Sequence, residues 1–190
     1  YTVFHQVLNS MTHANVPQYR QRIFIVALDP VQVPRYQEFS FPEEIPLTAS
    51  IRSLLEKGKV DQKYYYEPNH KYYAKMAESV ISMDKVYQWR RVYVRENKRN
   101  VCPTLTANMG SGGHNVPIIK DDYGIRKLTP KECFAFQGYP VDQMHFPKKM
   151  ANCALYTQAG NSVTMPLVQR IGEQILKVLD LNEMPKQRKA

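Results

Sequence analysis

The sequence predicts an α/β chain with antiparallel strands and a returning terminal helix. Three stretches carry that reading. Arg22–Leu28 (RIFIVAL) is a continuous apolar run of strand length. Gln88–Arg95 (QWRRVYVR) alternates well enough for a strand. Met165–Leu179 sets Leu167, Val168, Ile171, Ile175 and Val178 on one apolar stripe, with Pro166 in the first helical turn.

The remaining elements follow in chain order. Tyr1–Leu8 (YTVFHQVL) is β-like, and the polar loop Asn9–Val16 lets it pair antiparallel with Arg22–Leu28. Asp29–Pro46 holds Pro30, Pro34, Pro42 and Pro46, which makes it an extended connection. Thr48–Lys59 reads as a short helix, capped by Thr48 or Ser50, with Ile51, Leu54 and Leu55 on one face and Gly58 at its end. Lys71–Met83 has weak helical character. Thr104–His114 (TLTANMGSGGH) starts strand-like and runs into a Gly-rich loop. Val116–Ile119 is a further strand before an acidic turn at Asp121–Gly124. Thr129 as N-cap, Pro130 at the first helical position and Glu132 three residues on form a capping box for a helix to Phe136. Gly138 stops it, and Met184–Ala190 is a basic tail expected to fray.

Composition narrows the function classes. The 190 residues are 43% hydrophobic and 23% charged, a globular balance. Three Cys without a C-x-x-C pair support neither a disulfide framework nor a zinc ribbon, so a reducing compartment and no metal are expected. No apolar run reaches the ~18 residues of a membrane span, and the first residues carry no secretory-leader pattern. The net charge is +9. Residues 51–100 carry 12 basic and 6 acidic groups, two thirds of the excess, together with seven of the thirteen Tyr and the single Trp. A basic block rich in aromatics points to a polyanion, nucleic acid before others.

Three clusters stand out. Val16–Arg22 (VPQYRQR) puts Arg20 and Arg22 on one side of an extended segment, where guanidinium groups can hold a phosphate or a base carbonyl. Arg126–Pro140 (RKLTPKECFAFQGYP) is a capped helix with a Gly-aromatic-Pro stop. Gln158–Val163 (QAGNSV) is read as opening the long terminal helix, where free N–H groups can bind an anion or simply be capped. Each alone has an ordinary structural reading.

Their order and spacing are more specific. The chain resembles the C-terminal half of a bacterial DNA (cytosine-5)-methyltransferase, over about residues 1–181. VPQYRQRIFIVA is similar to that family's Q-x-R-x-R motif, RKLTPKECFAFQGYP to its R-x-L-T-x-x-E motif ending in Q-G-F/Y-P, and QAGNSV to its closing motif. The gap of about a hundred residues between the first two houses a target-recognition domain in the family, and here it holds the basic block.

The resemblance implies a Rossmann-like S-adenosylmethionine-dependent methyltransferase core, of which this chain holds the end, with a small, mostly β recognition domain inserted. Residues 1–45 would end the core, 46–125 recognise the target, 126–183 return to the core, and 184–190 form the tail. It implies a cytosine flipped from double-stranded DNA, thiolate attack at C6, and methyl supply by S-adenosylmethionine. Arg20 and Arg22 would hold the target nucleotide and its phosphates, Gln18 would shape their loop, and Asn161, Ser162 and Val163 would help close the cofactor pocket. Arg126 and Glu132 would orient the recognition domain. Candidates for DNA contact are Gln18, Arg90, Arg91, Arg95, Lys98, Arg99, Thr104, Asn108, Ser111 and His114, most of them expected at phosphates, with Arg suited to guanine and Asn to adenine.

The chain also departs from the family pattern. Cys102, Cys133 and Cys153 do not sit in a Pro-Cys-Gln loop and read as inert, partly buried thiols. The family's N-terminal Gly-rich loop and Glu-Asn-Val are missing, and Glu96-Asn97-Lys98 is no substitute. The expectation is a cytoplasmic bacterial protein inactive alone, needing a complementary chain or N-terminal segment that carries those three motifs. Its start at Tyr1 fits a split-enzyme subunit or a piece of a longer protein. Two rivals are a non-catalytic DNA-binding module derived from such an enzyme and an RNA-binding protein.

Overall fold

A computed structural model describes residues 1–111, 115–147 and 149–179. Strands β1 (Thr2–Asn9) and β2 (Gln21–Leu28) form an antiparallel ribbon with Val3 opposite Ala27, His5 opposite Ile25 and Val7 opposite Ile23. The short helix α1 (Ser10–His13) lies between them, capped by the Asn9 side chain. Period-two alternation sends Leu8, Phe24 and Val26 to one face. There they pack with Leu167, Ile171 and Ile175 of the terminal helix α5 (Met165–Val178). The opposite face is bare: Val3, Val7, Ile23 and Ile25 are 56–64% exposed.

A second, four-stranded antiparallel sheet follows the order β4-β3-β5-β6. Its strands are β3 (Tyr87–Arg90), β4 (Tyr93–Glu96), β5 (Ile118–Asp121) and β6 (Gly124–Lys127). Helix α2 (Tyr73–Ser79) contributes Met76, which packs with Val80, Tyr87, Ile118 and Ile125. The acidic turn forms as expected, with Asp121 Oδ1 accepting from the Tyr123 and Gly124 amides. Helix α3 (Pro130–Ala135) has the predicted capping box. The largest core joins α3 to Leu105, Met109, Leu155 and Tyr156.

Three expectations are corrected. Thr48–Lys59 holds only a 3-10 turn, Arg52–Leu54, because Ile51 alone is deeply buried and nothing sustains a helix. Thr104–His114 contains no strand over its described residues; Ala107–Gly110 is a 3-10 turn. Gln88–Arg95 is a hairpin and not one strand. Its turn lacks the usual Gly or Asn, and Arg91 itself takes the left-handed conformation (φ 50°).

A further helix, α4 (Asn152–Asn161), has no counterpart in the sequence reading. It lies against the Ala107–Gly110 turn so closely that a Cβ on Gly160 would sit 2.1 Å from the Thr106 backbone. The segment QAGNSV therefore ends α4 and does not open α5: Gln158–Asn161 lie in the last turns of α4, and the Ser162 amide caps it by donating to Gln158 O (2.9 Å).

Candidate functional site

The loop Pro17–Tyr19 is zipped to the segment after the basic block. Tyr19 N donates to Cys102 O (2.8 Å), Cys102 N to Pro17 O (2.7 Å), and Thr104 Oγ1 to Tyr19 O (2.7 Å). Gln18 is fully buried beneath them. Its amide nitrogen donates to Phe136 O (2.5 Å), and its oxygen accepts from Leu105 N (3.1 Å). The DNA-contact expectation for Gln18 is thus corrected: its polar ends are used inside the protein, tying the loop to the C-terminal end of α3. Gln137 is the neighbouring hub, donating to Ala159 O (2.9 Å) while accepting from Gln18 and Thr164. Sequence reading quoted it within a motif but assigned it nothing.

Arg20 and Arg22 divide their roles. Arg20 is 5% exposed and donates to the carbonyls of Leu105 (2.7 Å), Ser162 (2.8 Å) and Gly160 (3.3 Å). Burial, and then the neighbouring Arg22, push its pKa down to about 10. Its guanidinium is a staple between segments while it also lines the pocket it shares with Arg22. Arg22 is exposed and, among the described residues, donates only to Gln21 O, next to it in the chain (2.7 Å). Both border a cavity of about 220 Å³ with Asn161, Ser162, Val163 and Thr164. Two motifs 140 residues apart thus share one pocket, which among the described residues has two guanidinium groups and no carboxylate. Such a pocket favours an anion.

Asn161, Ser162 and Val163, which line this pocket, are the residues expected to help close the S-adenosylmethionine pocket. The residues present fit at most one anionic end. A sulfonium cation finds no carboxylate here, and Ser162 already donates to Ala159 O (2.8 Å).

Beside it opens a cleft of about 660 Å³. Of the expected DNA contacts, Arg90, Arg95, Lys98, Arg99, Thr104 and Asn108 line it, together with Tyr19. Among the described residues none of its four cations has a carboxylate partner. Arg91 lies at the hairpin tip and borders a different cavity, of about 920 Å³. Ser111 is exposed outside the cleft, and His114 lies outside the described residues.

Arg99 is left-handed (φ 68°) and stacks its guanidinium 4.8 Å from the centre of the Tyr19 ring. Arg99→Gly removes a left-handed penalty of about 1–2 kcal/mol against a cation–π contact of about 0.5–1 kcal/mol. Stability is therefore expected to change little. DNA affinity is expected to fall uniformly across sequences, with the salt slope reduced by about one. Thermal melts and salt titrations of binding check both halves.

Arg126 and Glu132 are both fully buried and paired bidentately at 2.8 and 2.7 Å. Arg126 Nε also donates to Asp121 Oδ2 (2.6 Å), and Glu132 accepts from the amides of Thr129 (2.8 Å) and Glu56 (2.9 Å). Burial opposes the charge on Arg126, but the two carboxylates outweigh it and hold its pKa above the usual range. The pair joins β6 to α3 and to the connection before β3. Cys102 and Cys133 are buried, with burial raising both thiols, while Cys153 is exposed, against the expectation of partial burial. None of the three borders the arginine pocket.

Antiparallel ribbon, returning helix and a pocket built from the first and last motifs define a methyltransferase-type C-terminal half. The chain belongs to the family of C-5 cytosine-specific DNA methylases, whose pattern matches residues 1–177. It is 50% identical over 179 residues to the Type II methyltransferase M.Bsp6I of Bacillus sp. (strain RFL6), covering 93% of this chain and 56% of that protein. It is 32% identical over 183 residues to M.DsaV of Dactylococcopsis salina, covering 94% and 49%. The crystal structure of S. pombe Dnmt2 methyltransferase matches its fold with a TM-score of 0.60 at 14% identity, covering 95% of this chain and 57% of that one. The chain spans about half the length of the curated relatives it matches. Among the described residues no helix is long and apolar enough to cross a membrane.

Proposed function

We propose that this chain is the DNA-reading and site-closing part of a bacterial DNA (cytosine-5)-methyltransferase that uses S-adenosylmethionine on double-stranded DNA in the cytoplasm. The observation that carries the reading is that one short segment, Tyr19 to Arg22, lines two cavities. Tyr19 borders the basic cleft, while Arg20 and Arg22 border the anion-favouring pocket beside it. A duplex held in the cleft would offer a flipped nucleotide to that pocket, where Arg22 meets its phosphate or the carbonyl oxygen of its base and Arg20 keeps the floor positive. The region 46–125 would act as the target-recognition domain, anchored through Arg126 and Glu132.

The nucleophile, the acid and most of the cofactor site would come from a complementary segment with a Pro-Cys-Gln loop, Glu-Asn-Val and a Gly-rich loop. The bare apolar face of the β1–β2 ribbon supports this, since a sheet face of that character is ordinarily covered.

The test is transfer of a labelled methyl group from S-adenosylmethionine to duplex DNA. The chain alone is expected to be inactive, and the chain with the complementary segment active. DNA binding without transfer in either case would replace this reading with a non-catalytic DNA-binding module.

A further inference from the structure

The front of the β3–β4 hairpin is a row of donors. Gln88 faces Arg95 across the hairpin, and Arg90 lies two residues from Gln88, so the three side chains leave the same face. That face lines the basic cleft. The rear face is fixed, with Tyr87 packed with Met76 and Val80, and Trp89 stacked on Tyr72 at 4.3 Å.

Gln88 Oε1 accepts from Arg90 Nη2 (3.1 Å) and from Arg95 Nη2 (3.0 Å). Both neighbours only donate, so the amide has one possible orientation: turned round, its NH2 would face two guanidinium groups. Both lone pairs of the oxygen are used, and the NH2 is left over. The row therefore presents N–H donors and no acceptor. In the major groove guanine offers two acceptors side by side, N7 and O6. Adenine sets a donor beside its acceptor, cytosine offers a donor, and thymine a single acceptor beside a methyl group.

We propose that the Arg90–Gln88–Arg95 row reads a guanine in the target duplex, with Gln88 as the positioning residue that holds the two guanidinium groups. This rests on the DNA-reading role above. A phosphate needs only a cation, which Lys98 and Arg99 supply at the same cleft. The neutral amide locking two guanidinium groups together gains its use against a planar base edge.

The experiment uses the full chain and a random duplex pool. Duplexes are selected by binding, then each guanine is replaced in turn by 7-deazaguanine, which lacks N7. At one guanine the replacement is expected to weaken binding by about 5- to 150-fold. Arg90→Ala and Arg95→Ala are expected to abolish that penalty. Gln88→Leu, similar in bulk but without an acceptor, is expected to abolish it at an unchanged thermal midpoint. Gln88→Glu, which still accepts from both arginines, is expected to retain it. A pool without guanine preference overturns the proposal. So do variants that weaken binding equally on all duplexes, with a shallower salt slope and the 7-deaza penalty intact; those results assign the row to phosphates. Because binding is the readout, failure of methyl transfer would remove the enzyme reading and leave this one standing.

Discussion

Glu132→Ala is expected to cost about 3–5 kcal/mol of folding stability, the range for breaking a buried ion pair on one side. The substitution would leave the Arg126 guanidinium in the interior with Asp121 as its remaining carboxylate. It would also orphan the Thr129 and Glu56 amides that Glu132 accepts from. For a chain of this length the loss corresponds to roughly 6–20 °C in thermal midpoint. Glu132→Gln keeps the shape and one acceptor and is expected to lose less. Thermal denaturation ranks the variants, and a loss below about 1 kcal/mol would contradict the account of a buried charge left unpaired.

Gly160→Ala is the second large effect. The added Cβ would meet the backbone of Thr106 at 2.1 Å and Ala107 N at 2.3 Å, and backbone cannot swing aside as a side chain can. Overpacking of this kind costs about 1–3 kcal/mol and more where nothing yields; a value at or above the top of that range is expected here. The damage reaches the arginine pocket, because Gly160 O is one of three carbonyls holding Arg20. A lower melting temperature is therefore expected together with weaker DNA binding. A variant that melts normally would mean that α4 and the Ala107–Gly110 turn can separate without loss.

Strong local chemistry was legible in the sequence. The capping box at Thr129–Glu132, the terminal helix and the β1–β2 pairing each follow from neighbouring residues and are present. Helix α4 was not legible. Its buried face is Leu155, Tyr156, Ala159 and Gly160, two of them small, and Ala151 supplies no cap. The hairpin tip was hidden because Arg91 occupies a conformation that its side chain disfavours. At the site, residue type misled. Gln18 and Arg20 are surface residues by composition, yet their partners are Leu105, Phe136 and Gly160, far along the chain. No local pattern announces such pairings. The charge excess of residues 51–100 did mark the cleft, since Arg90, Arg95, Lys98 and Arg99 line it together.

The β1–β2 ribbon also bears on the life of the polypeptide in a cell. Two strands with open edges and an oily outer face are a template for pairing with copies of themselves. Unless that surface is masked soon after synthesis, chaperones and proteases compete for it. Abundance would then follow the supply of whatever masks it, and the soluble yield of this chain becomes a direct gauge of assembly.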